Sequence, residues 1–208
     1  MKKLSNNKKF IYLISPNSIN NIKKFLKNLE LVLKTKKIIF FQLRLKKENK
    51  KKIIYIGNKI KKICKKYKVI FIVNDNPNFA KTIDADGCHL GQKDTDIIKA
   101  KKILKKKIIG ITCHNSKKLV YKAIQNKADY IAIGAFFKSS TKNTNYKATY
   151  SLLKFVKKIT KIPIVAIGGI NNKNYKKLLL NKANFLAISG YIWNNKKFKP
   201  EEAIKKFR

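Results

Sequence analysis

The sequence predicts an α/β protein, a single-domain (β/α)8 TIM barrel spanning residues 1–208. Three observations carry this expectation. Eight short runs, most of them rich in β-branched and aromatic residues, recur along the chain. Stretches with apolar residues at helical spacing separate most of them. Polar residues collect where the runs end. Buried strands alternating with helices imply parallel pairing with both sheet faces covered. Eight such units close a barrel near the short end of its usual size. An open doubly wound sheet is the alternative, and the count of eight disfavours it.

The strand runs are FIYLIS (10–15), IIFFQLRL (38–45), VIFIVND (69–75), GCHLG (87–91), IIGITC (108–113), YIAIGAFF (130–137), PIVAIGG (163–169) and FLAISGYIW (185–193). Ile53, Ile56, Ile60, Ile63 and Cys64 mark a helix after the second run. Leu152, Leu153, Phe155, Val156 and Ile159 mark another after the sixth. The brief third connection leaves room only for a short helix in 76–83. The run TKNTNYK (141–147) is expected to be a mobile loop.

The formal net charge is +41, and all but two of the 51 basic residues, Arg44 and Arg208, are lysine. Nucleic-acid recognition by bidentate and stacking contacts favours arginine. Lysine, asparagine and isoleucine are enriched together here, also where no local structural logic asks for them. A solvated lysine surface is therefore expected, with no specific nucleic-acid partner, though polyanions should bind non-specifically at low salt. Cys64, Cys88 and Cys113 form no CxxC pair, which suits a reducing cytoplasm better than a disulfide framework or a metal site. No apolar run approaches the ~20 residues that a bilayer requires. The basic start MKKLSNNKKFIYLIS lacks a signal-peptide pattern. A cytoplasmic protein with no membrane partner is the expectation.

Barrels of this kind place their chemistry at the C-terminal strand ends. The second run ends in Gln42, Arg44 and Lys46, alternate residues that share one strand face. Ile38 and Phe40 should continue that face into the barrel's lower layers, with Phe41, Leu43 and Leu45 pointing out to the helices. The third run ends in Asn74 and Asp75. His89, Gln92 and Asp94 follow the fourth, Thr112 and His114 the fifth, and Ser139, Thr141 and Lys142 the sixth. Gly168–Gly169 and Ser189–Gly190 end the last two. The cations suit a phosphorylated ligand. Two carboxylates in a cation-rich mouth suit Mg2+, which keeps waters and bridges to phosphate oxygens. Each residue also has a structural alternative. The Gln-x-Arg-x-Lys ladder could be a buried ion network, Asn74–Asp75 and Asp94 could be helix caps, and the histidines could bond backbone at the core edge.

Taken in order, QLRLK (42–46), VNDNPNFA (73–80), ADGCHLGQKD (85–94), IIGITCHN (108–115), ADYIAIGAFFKSSTK (128–142), IVAIGGI (164–170) and LAISG (186–190) resemble the thiamine-phosphate synthase family over nearly the whole chain. The resemblance implies a barrel fold and a transferase that requires Mg2+. Such an enzyme joins 4-amino-5-hydroxymethyl-2-methylpyrimidine diphosphate to 4-methyl-5-(2-phosphoethyl)thiazole, giving thiamine phosphate and pyrophosphate. It implies Gln42, Arg44, Lys46, Asn74 and Lys142 as the diphosphate site, with Arg44, Lys46 and Lys142 catalytic, and Asp75 and Asp94 as the metal aspartates. It also implies Thr112 in the diphosphate site and Ser139 and Thr141 near the thiazole phosphate. Gly169, Ile188 and Ser189 would supply phosphate-binding backbone.

The chain departs from the family pattern in places. Leu45 stands where glutamate is frequent, and Ala135 where proline is common. Thr112 and Ser139 are hydroxyl-keeping replacements, and NTNYKATY (143–150) replaces a glycine-containing segment. The alternatives are the related thiazole tautomerase and a homologue that has lost turnover. Tautomerases generally lack the Asn-Asp pair, the GQxD aspartate and the Thr-Lys ending, all of which this chain has. A homo-oligomer is compatible with the sequence.

Overall fold

The structure, a computed structural model, describes residues 10–46, 48–139 and 147–207. Strands β1 (Ile11–Ile14), β2 (Ile38–Leu43), β3 (Ile70–Asn74), β4 (Gly87–Leu90), β5 (Ile108–His114), β6 (Tyr130–Gly134), β7 (Ile164–Ile167) and β8 (Phe185–Ile188) pair in parallel with their sequence neighbours. β8 closes on β1, so the sheet is the expected barrel rather than an open one. The main helices are α1 (Ile22–Lys34), α2 (Lys50–Lys66), α3 (Pro77–Ile83), α4 (Ile97–Leu104), α5 (Lys117–Gln125), α6 (Tyr150–Ile159) and α7 (Tyr175–Leu180). Two short ones follow β8, α8 (Gly190–Trp193) and α9 (Pro200–Lys205).

Several helices start where a short polar side chain takes an orphan backbone N–H. Asn21 accepts from Lys24 N, Asn49 from Lys52 N, Asn76 from Phe79 N, Asp96 from Ile98 N and Ser116 from Leu119 N. In α1 the buried residues Phe25, Leu29, Val32 and Leu33 form one stripe facing the sheet. Burying each side chain of that size contributes roughly 1.5–3 kcal/mol.

The core has two layers. Ile11, Leu13, Phe41, Leu43, Leu45, Phe71, Val73 and their equivalents pack outward against the helices. Tyr12, Ile14, Phe40, Ile72, Tyr130, Ala132, Val165 and Ala187 fill the barrel itself. Large rings and small alanines alternate there, as they must in a narrow tube. Gly110 makes room for one of the rings: a Cβ there would stand 1.9 Å from the Tyr130 ring.

Two expectations need correction. Ile38 belongs to the outer layer, not the inner one. The β1–β2 register jumps from Ile11↔Ile38 to Tyr12↔Phe40, so Ile39 is an extra residue. A bulge of this kind reverses the face of everything before it. The final run also ends sooner than expected, because GYIW is helical rather than strand. The remaining strands differ from expectation only at their ends; β2, for instance, stops at Leu43.

At the N-terminal rim a repeated clasp joins strands in pairs. Asp86 donates its backbone N–H to Phe71 O and accepts Phe71 N–H on Oδ2 at 2.7 Å. Asp129 does the same with Ile109, at 2.8 Å. Asn184 does so with Ile164, at 2.9 Å. Asp129→Ala should strand the Ile109 N–H and cost about 1–3 kcal/mol. Asp129→Asn should retain most of that, since Asn184 already performs the task. Urea denaturation midpoints check this; equal stability of the alanine variant and wild type would remove the clasp from the account.

Candidate active site

β2 carries a graded exit from core to solvent. Gln42 is only 2% exposed and donates from Nε2 to Asn74 Oδ1 at 3.0 Å. Arg44, just past the strand, is half-buried; its backbone N–H donates to Ser15 Oγ at 2.8 Å, and its guanidinium donates to Asn17 Oδ1. Ser15 thus extends the β1–β2 ladder with a hydroxyl after its own N–H has bonded Gln42 O. Burial pulls the Arg44 guanidinium below its ordinary pKa, opposed by the charge of Asp75. Arginine remains charged under any such shift. Lys46 is exposed and ion-paired to Asp75 Oδ2. Leu45 is buried in the outer core, which explains why the ladder skips it.

Asp75 adopts φ +64°, a left-handed conformation that costs most side chains energy and aspartate less than most. The positive-φ non-glycine residues fall into two groups. Lys36, Lys68, Asp84, Lys105, Lys127 and Lys182 close helices, where the left-handed turn is ordinary. Asp75 and His114 instead sit at strand ends on the mouth of the barrel. Neither Asp75 nor Asp94 is a helix cap, since Asn76 and Asp96 fill those positions. Asp94 Oδ2 accepts the Gly91 N–H at 2.7 Å. Burial raises the Asp94 pKa, helped by hydrogen bonding to the Asp75 side chain and by the Asp75 charge; the Gly91 N–H and Lys46 act the other way. The two carboxylates therefore share one small region beside Lys46 and Arg44.

The His89 ring bonds the side chains of its neighbours. Its ring nitrogens lie 2.9 Å from Tyr130 Oη and 2.8 Å from Thr112 Oγ1. The β5–β6 register jumps between Thr112 and His114, leaving Cys113 as the extra residue, buried in the outer layer. Thr112 thus keeps its inward aim at the strand end, and its carbonyl accepts from Gln92 Nε2.

On the far side of the mouth, Gly168 (φ +106°) and Gly169 (φ +61°) pass close to the β6 exit. A Cβ at Gly169 would lie 2.3 Å from Lys138 O. Ile188 is buried at the end of β8, and Ser189 Oγ donates to Ser15 O at 3.0 Å, tying β8 to β1. Ser139 is half-buried beyond β6. Thr141 and Lys142 lie outside the described residues, as does the expected mobile loop except for Lys147. Among the described residues no cluster of three or more His, Cys, Asp or Glu side chains forms a ready metal cage. The three cysteines are buried free thiols whose pKa values burial raises, to about 12 for Cys113.

The structure also brings in residues that the sequence did not single out: Ser15, Asn17, Tyr12 and Tyr130. A signal existed for the tyrosines. Each puts a polar tip at an inward position of an otherwise Ile-, Leu- and Ala-rich strand.

A closed parallel barrel whose C-terminal rim gathers cations, carboxylates and hydroxyls is a barrel of the enzyme type. The chain belongs to the thiamine monophosphate synthase family, whose model matches residues 11–192. It is 64% identical over 208 residues to the thiamine-phosphate synthase of Pelagibacter ubique, covering 100% of both chains. It is 38% identical over 189 residues to that of Erythrobacter litoralis, covering 88% of each. Among solved structures it resembles a thiamine phosphate pyrophosphorylase from Pyrococcus furiosus, with a TM-score of 0.85, 26% identity, and coverage of 97% of this chain and 95% of that one.

The raised Asp94 pKa has a consequence for stability. A carboxyl raised by the fold contributes stability that is full below its unfolded pKa and is lost as pH rises through the folded one. In chelated buffer at neutral pH, Asp94→Asn should therefore unfold at a higher temperature than wild type. The gap should narrow as pH falls into the ordinary carboxylate range. A variant less stable than wild type at neutral pH would contradict this reading of Asp94.

Proposed function

We propose that this chain, as a single barrel domain, is a thiamine-phosphate synthase. It transfers the pyrimidine methylene of 4-amino-5-hydroxymethyl-2-methylpyrimidine diphosphate to the nitrogen of 4-methyl-5-(2-phosphoethyl)thiazole and releases pyrophosphate. The observation that carries this reading is the convergence of Gln42–Asn74, Arg44, Lys46–Asp75 and Asp94 on one side of the mouth. That set combines fixed cations, neutral donors and paired carboxylates, which is what a departing diphosphate requires.

The chemistry needs little else. The bond from CH2 to the diphosphate oxygen breaks with its electron pair leaving on the diphosphate. Ring electrons of the aminopyrimidine stabilise the cationic carbon left behind. The thiazole nitrogen then donates its lone pair to that carbon. It carries no proton, so bond formation calls for no general base. The protein's work is to hold the partners in line and to stabilise the leaving charge with preplaced groups. Arg44 does so from a half-buried position, oriented by Asn17; Lys46 does so from the rim, with Lys142 as a third cation. Gln42, Asn74 and Thr112 donate neutral hydrogen bonds. Ser139, Thr141, Gly169, Ile188 and Ser189 hold the thiazole phosphate.

The donor set fits Mg2+. Asp94, whose ionisation is disfavoured by burial and by the neighbouring Asp75 side chain, gains from a nearby cation, and Mg2+ is commonly held by one or two carboxylates plus phosphates and waters. Asp75 and Asp94 would hold it, and it would supply further positive charge for the diphosphate. The reducing cytoplasm, which suits three free thiols, is where we place the reaction.

The test is pyrophosphate release from purified protein with both substrates, with and without Mg2+. Release that needs both substrates and the metal is expected; its absence sinks the proposal. Arg44→Ala should lower kcat by about 100-fold or more with the fold intact by circular dichroism. Arg44→Lys should recover only part of the loss, because the forked donor geometry is gone.

A further inference from the structure

A buried hydrogen-bond chain runs from the middle of the barrel to its mouth. Tyr12 Oη lies 2.7 Å from Tyr130 Oη, Tyr130 Oη 2.9 Å from His89 Nδ1, and His89 Nε2 2.8 Å from Thr112 Oγ1. Both tyrosines are 2% exposed. The rings are wedged in place. Tyr12 packs on Phe40 at 5.1 Å, Tyr130 stacks on His89 at 5.5 Å, and Gly110 leaves the Tyr130 ring its space.

Counting protons gives the chain a direction. Each hydroxyl has one proton, and a neutral imidazole has one N–H. Suppose Tyr12 donates to Tyr130, Tyr130 to Nδ1, and Nε2–H to Thr112. Every buried proton is then used, and the Thr112 hydroxyl proton is left to point into the mouth. In the reverse sense Thr112 donates to Nε2, Nδ1–H to Tyr130 and Tyr130 to Tyr12. The Tyr12 proton is then stranded in the core. An imidazolium strands the same proton and buries a charge as well. A buried unsatisfied donor biases the two arrangements by roughly tenfold or more.

We propose that Tyr12, Tyr130 and His89 form a one-way hydrogen-bond relay that fixes the Thr112 hydroxyl as a donor to the anionic group of the bound ligand. The proposal rests on the reading above that places Thr112 beside the diphosphate. Under the reverse polarity Thr112 would present lone pairs to anionic oxygens. Tyr12, Tyr130 and His89 are positioning residues in this scheme, acting through Thr112. A hydroxyl oriented before the ligand arrives needs no reorganisation when charge develops on the leaving group.

Nitrogen-15 NMR of histidine-labelled full-length protein without ligand tests the polarity directly. The chain has two histidines, so a His114→Gln variant assigns the signals. His89 should be the neutral Nε2-protonated tautomer. An Nδ1-protonated or doubly protonated ring at neutral pH would overturn the relay, whatever the activity. Loss of pyrophosphate release in wild type with the expected tautomer would instead count against the synthase reading alone. Tyr130→Phe should admit the Nδ1-protonated form and lower kcat about tenfold with little change in KM. If the stranded Tyr12 proton prevents folding, Tyr12→Phe/Tyr130→Phe removes it and should show the same tautomer change. In a Thr112→Val background, Tyr130→Phe should cost no further activity; a full, additive loss would mean that the relay does not act through Thr112.

Discussion

Every side chain that points into a closed parallel barrel must be apolar or fully hydrogen-bonded, because water does not reach it. The alternation of strand residues turns this into a rule about position. On β2, Phe40 is core and the next inward residue is Gln42; on β3, Ile72 gives way to Asn74. On β4 and β5, Gly87 and Gly110 give way to His89 and Thr112. The change falls near the same height around this half of the barrel. There the polar groups satisfy one another, Gln42 with Asn74 and His89 with Thr112. Packed core and binding mouth are thus one surface, and the site is its upper edge.

The same constraint explains how the few acids are used. The chain has 10 acidic residues against 51 basic ones. At the N-terminal rim, Asp86 and Asp129 clasp strand backbones. At the C-terminal rim, Asp75 and Asp94 are crowded together, which disfavours ionisation of Asp94. The first arrangement stabilises the fold. The second costs stability, which is the pattern expected of groups placed to meet a ligand. The lysine coat needs neither explanation, because most of it is solvated.

Much of this was legible in the sequence. Seven of the eight strands had a run with β-branched residues, and GCHLG, which has none, completed the count of eight. The ladder Gln42, Arg44, Lys46 was legible because alternation alone puts it on one face. Ile38 was misplaced because a bulge leaves no mark in a uniformly apolar run. GYIW read as strand because a short apolar run does not distinguish strand from helix. The relay was invisible for a different reason. Tyr12 and Tyr130 are 118 residues apart, and tyrosine in a strand reads first as a β-former. The N-terminal clasps depend on pairing partners that only the barrel brings together.

On the proposed reading, the carboxylates and cations of the rim form one site for a diphosphate and a divalent cation. Calorimetric titration of pyrophosphate into the protein, with and without Mg2+, tests it most directly. Mg2+ should strengthen pyrophosphate binding in wild type, and Asp75→Asn/Asp94→Asn should abolish this enhancement. Pyrophosphate binding equal in both buffers, or an enhancement that survives the double substitution, would contradict it.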